Sequence, residues 1–281
     1  MAIQFTKMHG AGNDFVLIDA PAQNVPDNSM RELARKMCDR RFGVGADGLL
    51  VLWEGASGLP LMRIFNPDGS EAPMCGNGTR CFARFLARRA GQSEGRLCFE
   101  TPSFETEAQL SAENPEWVEV LLGSPVLRRG SIPMIEGDPE QPFVGGSLSL
   151  GEKTFKASAM RMGGPHLTIF VESLNEIDLP STGPLLEAYP WFPEKINVTF
   201  VERTGPATLT TRTWERGAGH TWACGTGACA AVVSMVQTGE SVRKFHATSE
   251  GGTISIEYLE SGRVILGGPA VFVFDGVWLQ D

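Results

Sequence analysis

Two apolar helical patterns dominate the hydrophobic profile of this chain, and each begins at a glycine-rich cysteine loop. After Cys75, apolar side chains recur at helical spacing as far as Leu86, which predicts a helix to about Ala90, with Gly91 as its stop. The second pattern, residues 227–237, is small and apolar on every side. A helix of that kind is buried, so we expect each helix to lie inside a core.

Short apolar segments bounded by turn residues predict strands around these helices. The candidates are residues 49–53, 61–65, 97–101, 104–110, 117–122, 154–162, 167–171, 196–201, 208–214, 252–258, 263–266 and 271–278. An amphipathic pattern also predicts a short helix at 30–39. Strict strand–helix alternation is absent, which argues against a Rossmann domain. We therefore expect an α/β (α+β) fold with curved, mostly antiparallel sheets, each wrapped around a central helix.

The two cysteine loops belong to a diverged internal repeat. When the sequence is shifted by the separation of Cys75 and Cys224, four further pairs fall into register: Arg63 with Arg212, Phe65 with Trp214, Gly76 with Gly225 and Gly78 with Gly227. Two pseudo-symmetric domains are therefore predicted. The N-terminal half comprises residues 1–123 with about 270–281, the C-terminal half comprises 124–269, and the proline- and glycine-rich segment 125–146 lies at the boundary.

Composition narrows the classes of partner. The chain has 281 residues, 42% of them hydrophobic, and a formal charge of −9, without a basic run. That balance argues against nucleic acid and anionic membranes as partners. The N-terminus lacks a signal-peptide pattern and no apolar stretch approaches the length of a membrane span, so we expect a cytoplasmic protein.

The cysteine loops suggest acid–base chemistry. A helix N-terminus stabilises negative charge, so it can bring the pKa of a thiol from about 8.5 to near neutrality and can bind a carboxylate. Two thiols on opposite faces of one carbon suit the inversion of a stereocentre in a small amino acid. The carboxylate of that substrate would be held by main-chain N–H groups, for which the candidates are Gly76, Asn77, Gly225 and Thr226.

Other roles for these residues stay open at the level of the sequence. The spacings of Cys75 with Cys81 and of Cys224 with Cys229 are unlike those of structural zinc sites, so no metal is expected. No lysine or glycine motif demands a cofactor, and none is expected. Three polar residues each have a structural alternative: Asn13 as a turn former, Arg216 as an exposed ion pair, and His166 as a core histidine.

Six sequence motifs resemble the diaminopimelate epimerase family. They are KMHGAGNDFVLID, FGVGADGLL, RIFNPDGSEAPMCGNGTRCFAR, FPEKINVTFV, WERGAGHTWACGTGACAA and GGPAVFVF, in family order over nearly the whole chain. The resemblance implies two pseudo-symmetric domains, with the last strand returning to the N-terminal one. It also implies cofactor-independent interconversion of LL- and meso-diaminopimelate in lysine and peptidoglycan precursor synthesis, and a homodimer.

The resemblance also assigns roles to individual residues. It implies that Cys75 and Cys224 are the catalytic thiols, with His166 and Glu215 close to the reacting centre. Asn13 matches a substrate-contacting position. The remaining matches are Asn66, Asn197 and Arg216 for the distal amino-acid end of the substrate, and Gly76, Asn77, Gly225 and Thr226 for the carboxylate.

Two departures from the family pattern concern specificity. Gly164 stands where the family usually has asparagine, and His220 stands where it usually has glutamate. A site that loses a hydrogen-bonding group loses discrimination. One alternative is therefore a related two-cysteine racemase for another amino acid, such as histidine or hydroxyproline. A non-enzymatic alternative is a redox-sensing or metal-binding thiol protein.

Overall fold

The computed structural model describes residues 2–279 and shows a mixed α/β fold, which confirms the predicted class. The α-helices in this range are α1 (Met30–Cys38), α2 (Gly76–Ala90), α3 (Leu179–Glu187) and α4 (Gly225–Gln237). The strands are β1 (Ala2–Gly10), β2 (Asn13–Asp19), β3 (Gly48–Glu54), β4 (Pro60–Phe65), β5 (Glu71–Ala72), β6 (Gly95–Glu100), β7 (Glu105–Leu110), β8 (Trp117–Leu122), β9 (Phe143–Leu150), β10 (Lys153–Met162), β11 (Gly164–Val171), β12 (Asn197–Gly205), β13 (Thr208–Glu215), β14 (Gly219–Thr221), β15 (Lys244–Ser249), β16 (Gly252–Tyr258), β17 (Val264–Pro269) and β18 (Val271–Leu279).

The chain divides into two compact units. Unit 1 comprises the described residues of Met1–Leu121 and Gly267–Asp281, and unit 2 comprises Leu122–Leu266. The boundaries expected from the sequence lie slightly C-terminal to these. Because β18 pairs with β1, the end of the chain belongs to unit 1.

Unit 1 is a mostly antiparallel sheet packed around α2. Strand β1 pairs antiparallel with β18 and β2, and β2 runs parallel to β3. The sheet continues antiparallel through β4 and β5, then parallel from β4 to β6 and antiparallel through β7 and β8. Helix α2 contacts β1, β2, β3, β4 and β7, so the curved sheet surrounds it.

Unit 2 repeats this order strand by strand. Strand β10 pairs antiparallel with β9 and β11, β11 runs parallel to β12, and β12, β13 and β14 are antiparallel. Strand β13 runs parallel to β15, which pairs antiparallel with β16. Helix α4 packs against β9, β10, β11, β12, β15 and β16. Helices α3 and α4 therefore occupy the places in this order that α1 and α2 occupy in unit 1.

The strand register confirms the repeat. Val51 pairs with Arg63 in unit 1, and Phe200 pairs with Arg212 in unit 2. Both pairs are related by the sequence shift that superimposes the cysteine loops. A second pair of strand partners in each unit is related by the same shift: Leu49 with Phe65 in unit 1, and Val198 with Trp214 in unit 2.

Apolar packing fixes the helices on the sheets. The buried face of α1, which includes Met30, Leu33 and Met37, packs in one cluster with Leu49 and Val51 of β3. In unit 2 a corresponding cluster contains Leu179 and Leu186 of α3 together with Val198 and Phe200 of β12. In both units the first helix therefore packs on the strand that follows it in the chain.

Helix α3 was not predicted, because its sequence contains Pro180, Gly183 and Pro184. Asp178 caps its N-terminus, accepting hydrogen bonds from the Ser181 N–H (3.4 Å) and hydroxyl (2.6 Å), and a proline is tolerated in the first turn. Gly183 is required by packing, since a Cβ there would lie 2.6 Å from Trp214 Cδ2. Tertiary contact thus overrides a low helix propensity.

Strands β9 and β15 were also missed. Strand β9 contains Gly145 and Gly146 and overlaps the segment 125–146, which the sequence analysis interpreted as a boundary. Both strands are held by their ladders with neighbouring strands.

Candidate active site

Cys75 occupies the N-cap of α2. Its backbone is extended (φ −144°, ψ 117°), as is usual for an N-cap residue, and its carbonyl accepts the N–H of Thr79 at 2.8 Å. The first turn contains two glycines and no acidic residue. Its positive end is therefore available to a thiolate or to a ligand carboxylate.

A chain of amides connects Cys75 to a buried arginine. Asn13 Oδ1 lies 3.5 Å from Cys75 Sγ and 3.4 Å from Asn77 Nδ2. The other end of the Asn77 amide, Oδ1, accepts a hydrogen bond from Arg80 Nη2 at 2.8 Å. Arg80 is completely buried. The structure thus brings three predicted site residues of unit 1 together, namely Asn13, Cys75 and Asn77.

Cys224 occupies the equivalent N-cap of α4. Its backbone is also extended (φ −123°, ψ 97°), and its carbonyl accepts the N–H of Ala228 at 3.0 Å. The sulfur lies 3.7 Å from the hydroxyl of Thr226. Gly227 permits this close packing, because a Cβ there would lie 3.3 Å from Cys224 Sγ and would collide with Thr199 Oγ1.

His166 is buried in unit 2, on β11, next to Asn197 on the neighbouring strand β12. Only 1% of the residue is exposed, and it pairs with Asn197 in the parallel ladder of β11 and β12. The Met162 main chain interacts weakly with the ring, but neither ring nitrogen has a partner of good hydrogen-bond geometry among the described residues. Burial, assisted by the positive charge of Arg216, lowers the pKa of His166 to about 4, so the imidazole is neutral at pH 7.

Asn197 orders the segment that carries Arg216. Its Nδ2 donates to the Pro165 carbonyl at 2.8 Å, and its Oδ1 accepts the Arg216 N–H at 2.9 Å. The Arg216 guanidinium donates to the Glu194 carbonyl at 3.1 Å. Glu215 accepts a hydrogen bond from the Thr221 hydroxyl at 2.7 Å. These contacts place His166, Asn197 and Arg216 in one neighbourhood of unit 2.

The unpredicted helix α3 supports this neighbourhood through Glu187. The Glu187 carboxylate accepts hydrogen bonds from Trp214 Nε1 (2.8 Å), the Gly217 N–H (3.2 Å) and Lys195 Nζ (3.2 Å). Burial alone would raise the pKa of this carboxyl, but these donors outweigh burial and lower it. Sequence reasoning missed Glu187 because the helix that carries it was missed.

Asn66 lies in the turn between β4 and β5. Its Nδ2 donates to the Ser70 hydroxyl at 2.9 Å, and its N–H donates to the Ser70 carbonyl at 2.8 Å. The structure thus gives Asn66 a local role in shaping this turn.

The two departures from the family pattern have different surroundings. A Cβ on Gly164 would lie 3.3 Å from Asn197 Nδ2, which places Gly164 directly beside a predicted distal-end residue. His220 Nε2 lies 3.2 Å from Glu250 Oε1.

The other cysteines have less reactive surroundings. Burial raises the pKa of Cys38 and of Cys81 to about 12, which keeps both as thiols at neutral pH. Cys229 is buried and Cys98 is exposed. Among residues 2–279, no cluster of three or more histidine, cysteine or acidic side chains has a metal-binding arrangement.

Sequence reasoning missed two further residues that order the unit 1 cluster. Arg80 is fully buried and contacts Asn77, and Asp47 accepts a hydrogen bond from Asn13 at 2.7 Å. Hydropathy of a single sequence does not predict that an arginine five residues after Cys75 is buried. Asp47 belongs to a quoted motif, FGVGADGLL, but nothing in that motif indicates its partner.

Two cysteines at equivalent helix N-caps of a fold repeated within one chain fit an isomerase that uses acid–base groups. A sequence model of the family described as diaminopimelate epimerase matches residues 5–128 and 158–273. Proteins named diaminopimelate epimerase from Desulforudis audaxviator and Desulfitobacterium hafniense are each 45% identical to the chain. The alignments cover 99% of this chain with 100% and 99% of those proteins. The chain belongs to the diaminopimelate epimerase family, and the identification made from the six motifs is confirmed.

Solved structures share the fold at low identity. A PhzF-family phenazine biosynthesis protein from Bacillus anthracis has a TM-score of 0.72 at 16% identity, covering 100% of both chains. A hydroxyproline epimerase from Agrobacterium vitis has a TM-score of 0.69 at 13% identity, covering 99% of this chain and 91% of that one. These likenesses show a common architecture. Separately, none of the helices described in residues 2–279 is long and apolar enough to span a membrane.

Proposed function

We propose that this protein interconverts LL- and meso-diaminopimelate without a cofactor. The observation that carries the proposal is the occurrence of Cys75 and Cys224 at equivalent helix N-caps of a repeated fold. The names of its relatives support the substrate, since proteins 45% identical over nearly the full chain are called diaminopimelate epimerase.

The proposed reaction uses both thiols at one α-carbon. The thiolate of one cysteine removes the α-proton from one face, and the thiol of the other delivers a proton to the opposite face. The carbanion that forms carries extra charge next to the carboxylate, and main-chain N–H groups at helix N-termini stabilise such charge. We assign this carboxylate contact to Gly76, Asn77, Gly225 and Thr226, which form the starts of α2 and α4.

The distal amino-acid end of the substrate is assigned to Asn66, Asn197 and Arg216. An arginine binds a carboxylate through two parallel hydrogen bonds, so Arg216 provides the charge for the second carboxylate. Its link to Asn197, at 2.9 Å, supports joint action of these two residues. Asn13, His166 and Glu215 are placed near the reacting carbon, where a neutral His166 binds the substrate without competing as a base.

The biological setting follows from this substrate. We propose a role in lysine and peptidoglycan precursor synthesis in the cytoplasm, with the enzyme acting as a homodimer. Exposed apolar side chains on β18, at Val273, Val277 and Leu279, support an association surface. Sedimentation velocity of the purified protein measures the oligomeric state directly.

A related two-cysteine racemase for another amino acid is the second candidate function. The observation that favours it is Gly164, because a glycine beside Asn197 offers no side-chain amide to the distal end of diaminopimelate. Histidine and hydroxyproline are the alternative substrates to be tested.

Proton NMR in D₂O tests the proposal. Reduced, metal-free protein is incubated with LL-diaminopimelate, and separately with histidine and 4-hydroxyproline, and the loss of the α-proton signal is followed. We expect exchange and formation of the meso isomer with diaminopimelate alone. Cys98→Ser, a variant at an exposed cysteine of unit 1, is the matched control for Cys75→Ser, and we expect it to retain activity.

The other outcomes separate the alternatives. Exchange only with histidine or hydroxyproline would keep the thiol chemistry and overturn the substrate. Absence of exchange with all three would favour a redox-sensing or metal-binding thiol protein.

A further inference from the structure

Asp47 holds the loop that carries Asn13 through several hydrogen bonds. Its Oδ2 accepts the Asn13 Nδ2 hydrogen at 2.7 Å and the Asp14 N–H at 3.1 Å. Its Oδ1 pairs with Arg40 Nη2 at 2.6 Å, and its own N–H donates to the Asp14 carbonyl at 2.9 Å. The Asp47 carboxylate is thus held in place on the far side of Asn13 from Cys75.

An ionised carboxylate only accepts hydrogen bonds, and this determines how the Asn13 amide is oriented. The Nδ2 group must face Asp47, so Oδ1 is turned towards Cys75 and Asn77, at 3.5 and 3.4 Å. With the opposite orientation, two oxygen acceptors would meet at Asp47.

Arg80, at the other end of this series of hydrogen bonds, independently requires the same orientation of the Asn13 amide. Arg80 is a donor only, and it contacts Asn77 Oδ1 at 2.8 Å. Asn77 Nδ2 must then face Asn13, where it requires an acceptor. An acceptor-only carboxylate and a donor-only guanidinium therefore fix the orientation of both amides between them.

We propose that Asp47 is a positioning residue, which through Asn13 directs a hydrogen-bond acceptor at Cys75 and so favours the protonated thiol over the thiolate. An amide oxygen accepts from S–H but repels the lone pairs of a thiolate. This contact opposes the α2 N-terminus, which favours the thiolate. The reaction needs one cysteine protonated and one ionised, so the balance at Cys75 governs which form it takes before substrate binds. The catalytic consequence rests on the proposed function, whereas the effect on the thiol does not.

Several ionisable groups surround the start of α2. Arg80 contacts Asn77, and Asp47 contacts Asn13. Arg40 and Lys7 both pair with Asp14, the residue after Asn13. His9 lies opposite Asp14 in the β1–β2 ladder, and Cys81 is on α2 itself. Burial raises the pKa of Asp14, but its hydrogen bonds with Arg40 and Lys7 outweigh burial and lower that pKa to about 2. Asp14 therefore stays charged throughout the range in which a thiol titrates, and comparison of matched variants removes the contribution of the other groups.

The test is the pH dependence of Cys75 alkylation by iodoacetamide. It is measured in a Cys98→Ser/Cys224→Ser background, so that Cys75 is the only reactive cysteine outside the buried positions. The background also carries Asn77→Ala, because Asn77 Nδ2 would otherwise hold the Asn13 oxygen in place. In Asp47→Asn, residue 47 can then donate to Asn13 Oδ1, and the Asn13 amide is free to turn its N–H towards the sulfur. We expect the midpoint of the alkylation profile to fall by about 0.5 to 1 pH unit, which is roughly three- to tenfold faster alkylation at pH 7.

A double-mutant cycle separates this relay from the loss of a nearby negative charge. Asn13→Leu removes the acceptor, so Asp47→Asn should have no further effect in that background. Asp275→Asn is the matched control, because Asp275 lies in the same unit and pairs with Arg88 at 2.8 Å instead of with Asn13; it should leave the midpoint unchanged.

Two results would overturn the proposal: an unchanged midpoint in Asp47→Asn, or a shift that persists in full when Asn13 is leucine. Asp47→Ser, whose hydroxyl both donates and accepts, is the second variant if Asp47→Asn does not fold by circular dichroism. No substrate is present in this assay, so its failure is distinguishable from an absence of α-proton exchange in the NMR experiment.

Discussion

Helices α2 and α4 begin in the same way and differ along their length. Each starts at an N-cap cysteine followed by glycines. Helix α2 has arginines at positions 80, 84, 88 and 89, whereas α4 contains no charged residue and consists mostly of small residues. Five residues after each cysteine stand Arg80 and Cys229, both fully buried. The shared part is the helix N-terminus, to which the proposed function assigns the thiol and carboxylate contacts. The remainder of each helix packs in a different core.

The surroundings of the two sulfurs differ as well. Asn13 Oδ1 lies 3.5 Å from Cys75 Sγ, while the Thr226 hydroxyl lies 3.7 Å from Cys224 Sγ. An amide oxygen only accepts a hydrogen bond, whereas a hydroxyl also donates, so the two contacts treat a thiolate differently. The two sulfurs of the repeat therefore have different hydrogen-bonding neighbours.

Removal of either thiol should have the largest effect. We expect Cys75→Ala and Cys224→Ala each to reduce conversion about 10³-fold or more, since each removes a general acid or base. The remaining thiol still reaches one face, so each variant should retain slow α-proton exchange with one isomer only. NMR in D₂O with LL- and meso-diaminopimelate measures this. Equal residual exchange with both isomers in one variant would contradict the assignment of one thiol to each face.

Substitution at Arg80 tests the contrast between the helix bodies. Arg80→Met removes a buried charge that contacts Asn77 and leaves its acceptors without their donor, so we expect a loss of about 2–4 kcal/mol of unfolding free energy. Cys229→Ala, the equivalent position in α4, should cost only about 1 kcal/mol. Urea unfolding measures both. Similar losses at the two positions would show that Arg80 acts as packing alone.

A change of pH should act on unit 2 through His166, whose counterpart in the repeat is Phe15. The pKa of His166 is lowered from 6.5 to about 4, so below pH 6.5 the unfolded chain binds a proton that the folded protein excludes. Stability from this group is present above pH 6.5 and is lost as pH falls towards 4, by about 2 kcal/mol between pH 7 and 5. Denaturant unfolding of His166→Phe should show a smaller loss over this range. An unchanged pH dependence would place the titration elsewhere.

The first-turn glycines provide a matched pair of substitutions. Alanine at Gly227 would collide with Thr199 Oγ1, whereas at Gly78 its Cβ would lie 3.2 Å from Leu50 Cδ2, the end of a flexible side chain. We expect Gly227→Ala to lower the free energy of unfolding by about 1–2 kcal/mol and Gly78→Ala to leave it nearly unchanged. At Gly78 the higher helix propensity of alanine offsets the tighter packing, whereas at Gly227 it does not. Thermal unfolding gives both values, and Thr199→Ala should partly rescue Gly227→Ala. The absence of rescue would indicate another source of strain.

The smallest effect is expected at Gly164, which corresponds in the repeat to Asn13. Gly164→Asn introduces an amide beside Asn197, where a Cβ has 3.3 Å of clearance from Nδ2. We expect KM for diaminopimelate to fall by a few-fold with little change in kcat, since the amide adds binding at the distal end. Steady-state kinetics with diaminopimelate and histidine measure this. A fall in kcat without a change in KM would show that the new side chain disturbs Asn197.

Local sequence was sufficient to predict the helices that carry the cysteines. Helix α2 ends at Ala90 as expected, because Gly91 adopts a left-handed conformation (φ 65°) that closes the helix. Helix α1 was also predicted, since its apolar residues recur at helical spacing. Helix α3 was not, because its capping by Asp178 and the packing of Gly183 on Trp214 depend on residues whose proximity a single sequence does not reveal.

The sequence by itself determined the class of chemistry: a repeated cysteine–glycine loop before an apolar helix places a thiol at a helix N-terminus, and both requirements are local. It also determined the family, through motifs that are contiguous in the chain. Only the tertiary structure decided how each thiol is supported. The Asp47, Asn13 and Arg80 contacts join distant segments, as do those of Glu187 with Trp214 and Gly217. Hydrogen bonds between such segments depend on the whole packed fold, and for that reason the acid–base balance of the site follows from the three-dimensional arrangement.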